Sequence, residues 1–434
     1  MIRAAWRMVA ATLATGVAAG GLGVLLTLLL HAIQHLFWGY TENTFLIGVE
    51  HAGAARRILV LAAGGVVAGV AWWLSRRAFT TESVSVTHAM RAQRPDLPLV
   101  ATIIDAVIQI VAVAFGASLG REGAPRQAGA AAGGPLGRWL GVSAAQQRIL
   151  LAAGAGAGLA VVYNVPLGGA AFTIEVLRAP FAVRAIVPAL VTSAIATTVG
   201  WAVFGTRPFY ELPAISFSGQ ALAWALPLGV VAGVAGVVFV RLMTAARRHA
   251  PSGWRVAVAV PLVFTALGAL AVAYPQLPGN GRGPATLAFD GSIGLGLAAT
   301  LLVCKPLATA ACLGAGAIGG TLTPALATGA LLGAVAGHLA DELWPGAPVV
   351  QFAVMAAAGV LAVTQHAPLT AVILTFELVG GTHLVLLAPV LVAVIAATAV
   401  AAALGQRGAL ADWLRRTVPT TRHRRGRPSR AALF

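Results

Sequence analysis

Apolar residues run through this chain in long blocks separated by short polar breaks. Residues 58–74, 221–240, 256–273 and 384–404 are almost wholly hydrophobic, each near the roughly 20 residues that carry a helix across a bilayer. Other blocks are shorter, roughly 12 to 17 residues, and are cut by glycine or proline, the pattern of broken helices that line a polar path. Irregular backbone survives in a membrane only where protein shields it from lipid. The pattern therefore predicts an all-α polytopic membrane protein with tilted and broken helices. The stretch RMVAATLATGVAAGG has the look of a signal-peptide core, but its apolar run continues to Trp38, which predicts a retained first helix.

Composition sharpens this reading. Hydrophobic residues make up 59% of the 434 positions and charged ones only 10%, against about 25% charged in soluble domains. The net charge of +16 is carried by arginine, Lys305 being the single lysine. Much of the excess lies in the last residues, RRTVPTTRHRRGRPSR, which predicts a basic cytoplasmic tail at 418–434, with both termini cytoplasmic. No folded nucleic-acid-binding module accompanies that charge. The two cysteines share one apolar segment and the nine histidines show no ligand spacing, so neither a disulfide framework nor a metal or other cofactor is expected. No nucleophile–base motif points to an enzyme.

The chain repeats itself. LAAGAGAGLAVVYNVPLGGAAFTIEVL in the first half returns as AVMAAAGVLAVTQHAPLTAVILTFELV in the second. Upstream, Gly120, Gly129, Gly133 and Gly137 match Gly320, Gly329, Gly333 and Gly337. Pro-Leu followed by Thr-x-Glu in the same order carries more weight than the glycines. Two halves of one transmembrane domain (1–417) are predicted, spanning about 5–206 and 218–417 with the segment GTRPFYELPAISFSGQ as hinge. Such fused halves often have inverted topology and hold the substrate between them.

The segment SLGREGAPRQAGAAAGG (118–134) puts Glu122 between glycines at the start of a predicted helix. A helix N-terminus offers free N–H groups and the positive end of its dipole, an anion site. A tethered carboxylate can fill such a site and swing away when a mobile anion replaces it. The repeat predicts a second helix from Gly320-Thr-Leu-Thr-Pro aimed at the same place, with Leu322 where the first half has Glu122. The competing reading is that Glu122 caps its own helix and pairs with Arg121. An ionisable group inside a membrane favours the functional reading. Asp105 and Lys305 hold repeat-equivalent positions in apolar runs. Either they form an ion pair near the pseudo-symmetry axis, or each faces a wet vestibule.

Taken together, GREG before a helix, GGTLTP, YNVPLGGAAFTIE and HAPLTAVILTFEL resemble the CLC chloride channels and proton/chloride exchangers, over about residues 20–414. The resemblance implies a homodimer with one pore per subunit, each subunit built of some seventeen or eighteen helices in two inverted halves. It implies transport of chloride or a similar small anion, coupled to protons, with a passive channel or a fluoride/proton exchanger as alternatives. Glu122 matches the gating glutamate. The amides of Thr321 and Leu322 match donors to a central anion, and those of Arg121, Glu122 and Gly123 to an outer one.

There are departures. The family's Gly-Ser-Gly-Ile-Pro is absent, and alignment places Thr81 at its serine. The family's C-terminal tyrosine falls on Leu410. The inward proton-collecting glutamate falls on Val176, with Glu175 beside it as a substitute or, because Glu377 is its repeat partner, as part of the scaffold. On this reading the central anion rests on backbone amides, with Thr81 as a possible hydroxyl ligand.

Overall fold

The computed structural model describes residues 2–40, 44–79, 86–91, 97–381 and 383–406. The first half runs α1 (Ile2–Trp38), α2 (Phe45–His51), α3 (Ala54–Ala78), α4 (Val86–Arg91), α5 (Leu99–Ala114), α6 (Gly123–Trp139), α7 (Ala144–Tyr163), α8 (Pro166–Glu175) and α9 (Val183–Phe204). The second runs α10 (Gly219–Arg248), α11 (Val256–Ala273), α12 (Arg282–Phe289), α13 (Leu295–Gly314), α14 (Leu322–Leu343), α15 (Val349–Gln365), α16 (Pro368–Leu378) and α17 (Leu387–Ala403). Among the described residues, nine helices are long and apolar enough to cross a membrane. Thr81, Leu410 and the basic tail 418–434 lie outside the described residues.

The repeated motif has a local cause. Asn164 ends α7 in the left-handed conformation (φ 58°), and His366 ends α15 in the same way (φ 53°). A left-handed residue turns the chain out of the helix and lets the following amides bond back to its last carbonyls, as the Val165 and Ala367 N–H groups do to Ala160 and Ala362. Two residues later Pro166 and Pro368 open α8 and α16, where the missing N–H of proline costs nothing. So Asn-Val-Pro-Leu and His-Ala-Pro-Leu are each a stop followed at once by a start.

The glycine spacing has a packing cause. A Cβ on Gly129 or Gly133 of α6 would overlap the backbone carbonyls of Gly154 and Leu150 in α7. In the second half, Gly329 and Gly333 of α14 meet the backbone of α15 at Ala356 and Phe352. Small residues let these helices approach backbone to backbone, the contact that stabilises membrane bundles in the absence of a hydrophobic drive. Around these two pairs, α3 packs on α11 and α10 on α17. The halves meet at Gly120 and Gly320, which exchange both backbone bonds in a single antiparallel bridge: Gly120 N–H to Gly320 O at 2.8 Å, and the reverse at 3.0 Å.

The stretch between α9 and α10 carries no helix, but it is more than a hinge. Its Phe209 and Tyr210 are buried, and the Tyr210 N–H donates to the carbonyl of Leu378 in α16. Phe209 stacks edge-on with both Tyr163 and Tyr210, each at 4.9 Å between ring centres.

Candidate functional site: a carboxylate shared between the halves

The Gly120–Gly320 bridge fixes the site, because it sets the starts of α6 and α14 side by side. Glu122, fully buried, immediately precedes α6 but makes no side-chain cap there. Its carboxylate crosses instead to the other half. Oε1 accepts the Leu322 N–H at 2.7 Å, and Oε2 lies in hydrogen-bond contact with the hydroxyls of Tyr163 at 3.0 Å and Thr323 at 3.2 Å. The two hydroxyls are themselves 2.5 Å apart. Among the described residues, the amides of Arg121, Gly123 and Thr321 make no bond to this carboxylate, although they belong to the same junction.

Both glycines at the bridge are required by this arrangement. A Cβ at either Gly120 or Gly320 would overlap the Glu122 carboxylate. Arg121 is not the partner of Glu122. Its Nη2 donates to the Val162 carbonyl at 2.9 Å, and its guanidinium lies 5.1 Å from the centre of the Phe209 ring. On the same ring sits Arg282, at 4.2 Å, with its Nη2 donating to the Phe209 carbonyl. The two arginines line a cavity of about 490 Å³ that also takes in His31, His35, Tyr40 and Glu50. Two carboxylates, Glu50 and Asp290, face the same cavity and balance the two guanidinium charges.

Chemically, the seat filled by Glu122 is a cradle of donors around a carboxylate. One helix N-terminal amide and two hydroxyls converge on its oxygens. Protonating the carboxyl removes the charge that strengthens those bonds, from about 1.5–3 kcal/mol for a charged acceptor to about 0.5–1.5 for a neutral one.

One sequence-derived alternative is corrected. Asp105 and Lys305 do not pair. The Asp105 carboxylate accepts from Trp72 Nε1 at 3.2 Å and Gln109 Nε2 at 2.8 Å, whereas the fully buried Lys305 Nζ donates to the carbonyls of Leu277 and Gly279 at 2.6 and 2.7 Å. Each polar group found partners close to its own helix, which removes the need for one across the axis. Glu175, read from the sequence either as an internal proton acid or as part of the scaffold, is bonded at the start of α16. Its oxygens accept the N–H groups of Leu369 (3.2 Å) and Thr370 (2.6 Å) and the Thr370 hydroxyl (2.7 Å). Glu377 reciprocates at the start of α8, accepting from Leu167 at 2.9 Å and Gly168 at 2.5 Å. Each carboxylate caps the other half's helix, where free amides and the dipole favour negative charge.

Tyr163 and Thr323 were not singled out by the sequence. The signals were present: Tyr163 is one of four tyrosines and stands immediately before the Asn-Val-Pro-Leu stop, and Thr323 lies one residue beyond Leu322. Among the described residues no group of three or more His, Cys, Asp or Glu side chains could hold a metal ion.

Comparison with known proteins agrees with this architecture. Residues 64–402 match the family model described as voltage gated chloride channel. The chain is 34% identical to a ClcB-like protein of Ralstonia nicotianae, over 83% of this chain and 86% of the relative. It is 32% identical to an H(+)/Cl(-) exchange transporter ClcA of Vibrio cholerae, over 71% of this chain and 68% of that one. Its fold is that of a slow cyanobacterial Cl-/H+ antiporter, with a TM-score of 0.81, 24% identity and coverage of 95% and 98% of the two chains. The fold also matches a CLC-type fluoride/proton antiporter, with a TM-score of 0.72, 21% identity and coverage of 90% and 95%. With a duplicated helical membrane domain whose halves join at a glycine pair around one buried glutamate, this chain belongs to the voltage gated chloride channel family, the CLC proteins.

Proposed function

We propose that this protein moves chloride or a similar small anion across the membrane through the seat now filled by Glu122, in exchange for protons. One observation carries the reading: the Glu122 carboxylate of the first half is bonded to the Leu322 N–H that begins α14 of the second. A carboxylate held there excludes other anions. Once protonated or displaced, it opens the path and can pass its proton on. The exchange activity named for the Vibrio cholerae relative supports the coupling. We assign a homodimer with both termini cytoplasmic on the same footing, from the family and the basic tail.

The test is flux from proteoliposomes loaded with chloride, fluoride or nitrate, read beside a pH electrode. Glu122→Gln is expected to keep anion flux and to abolish both its pH dependence and any proton movement. Flux that stays proton-coupled in that variant overturns the role of Glu122. A passive channel is the second reading, favoured by one feature: Val176 occupies the position of the inward acid, and Glu175 beside it is engaged as a helix cap. Anion movement without proton countermovement in the native protein would decide for it.

A further inference from the structure

We infer that Tyr163 and Thr323 are hydroxyl ligands of the transported anion and set which anion is preferred. The inference rests on the reading of the Glu122 seat as the transport path. The carboxylate marks the ligand position, and its polar contacts among the described residues are three: the Leu322 N–H, the Tyr163 hydroxyl and the Thr323 hydroxyl. Both side chains are 1% exposed, so neither hydroxyl can turn to solvent when the carboxylate leaves. A buried hydroxyl without an acceptor is unfavourable, and an anion in the vacated seat is the acceptor that restores the bond.

The 2.5 Å contact between the two hydroxyls adds to this. Whichever of them donates to the other, the second keeps its hydrogen for the group at the position of Oε2. The pair therefore always presents a donor to the seat. It does so from α7 and α14, elements that belong to different halves. The ring of Tyr163 is held from the side by Phe209 and lies 5.4 Å from the Arg121 guanidinium, so its hydroxyl is fixed in place before an anion arrives. A fixed hydroxyl donor rewards an anion that concentrates its charge over one that spreads it. The sequence offers no serine in the family's motif and no tyrosine after Tyr274. Tyr163 and Thr323 supply two hydroxyls from other positions.

The test separates binding of the anion from seating of the gate. In full-length Glu122→Gln protein, where no charged carboxylate competes, Tyr163→Phe, Thr323→Val and the double variant are each compared with the parent in proteoliposomes. One charge-assisted hydrogen bond lost corresponds to roughly a tenfold rise in the half-saturating chloride concentration. That rise is expected in the double variant, which leaves no hydroxyl donor, with little change in maximal flux and a reduced preference for chloride over nitrate; each single variant leaves one hydroxyl to donate and is expected to rise less. Tyr163→Phe with Thr323→Ser, which keeps one hydroxyl, is expected to fall back toward the parent value and shows that the position tolerates exchange. Unchanged half-saturation in the double variant overturns the inference, as does an effect confined to the background that retains Glu122, since the hydroxyls would then serve the gate alone. Failure of the gate reading shows separately, as proton coupling that survives in the Glu122→Gln parent itself.

Discussion

Replacing Glu175 by glutamine distinguishes a scaffold acid from a proton carrier. In the native protein its two oxygens accept two N–H groups and one hydroxyl at the start of α16, at 3.2, 2.6 and 2.7 Å. Glutamine keeps one acceptor oxygen but turns an NH2 toward donors that need an acceptor, and it removes the negative charge from the helix N-terminus. Bonds to a charged acceptor contribute about 1.5–3 kcal/mol each, and a charge at a partly buried helix end up to about 2 kcal/mol. Glu175 is only half-buried, so solvent and lipid headgroups recover part of this and a net loss of about 2 kcal/mol is expected. At about 2.1 cal/mol/K of unfolding entropy per residue, that loss lowers the melting temperature of a chain this long by about 2 °C. The assay is thermal unfolding in detergent, run beside proton and anion flux from proteoliposomes. The expected result is a lower melting temperature with an unchanged proton-to-anion ratio. A native melting curve with proton movement lost would refute the cap and make Glu175 the internal acid after all. Glu377→Gln, its counterpart at the start of α8, is expected to lower the melting temperature by a similar amount.

Three further outcomes follow from the same geometry. Lys305→Met leaves the Leu277 and Gly279 carbonyls without their donor and is expected to destabilise by about 1–3 kcal/mol, read as a lower unfolding temperature. Because Asp105 bonds to Trp72 and Gln109 instead, the double variant Asp105→Asn with Lys305→Met should be additive within about 0.5 kcal/mol; a larger coupling would restore the ion pair. Gly320→Ala puts a methyl group where the Glu122 carboxylate lies, so flux at alkaline pH should rise toward its acid value, and a native pH profile would show that the gate does not use this seat.

Much of this protein was written locally along the chain. Apolar length set the spans, since backbone polar groups in lipid must be satisfied within each segment. The Asn164 and His366 stops, the prolines after them and the Gly120-Arg-Glu-Gly start depend on neighbours a few residues away, so sequence alone revealed them. The duplication was legible too, because the same local rules were used twice. What the sequence left undecided was which repeat-equivalent residues meet. Glu175 and Glu377 belong to the short helices α8 and α16, which pack on each other, and each reaches the other half; Asp105 and Lys305 lie where nearer partners satisfy them first. The hydroxyls of Tyr163 and Thr323 were hidden for a related reason. From Ile149 to Tyr163 every residue of α7 is buried, so no apolar face exists to mark one side as the lining of a site. Only the meeting of the end of α7 with the start of α14, across 160 residues of chain, brought one of those positions to the carboxylate.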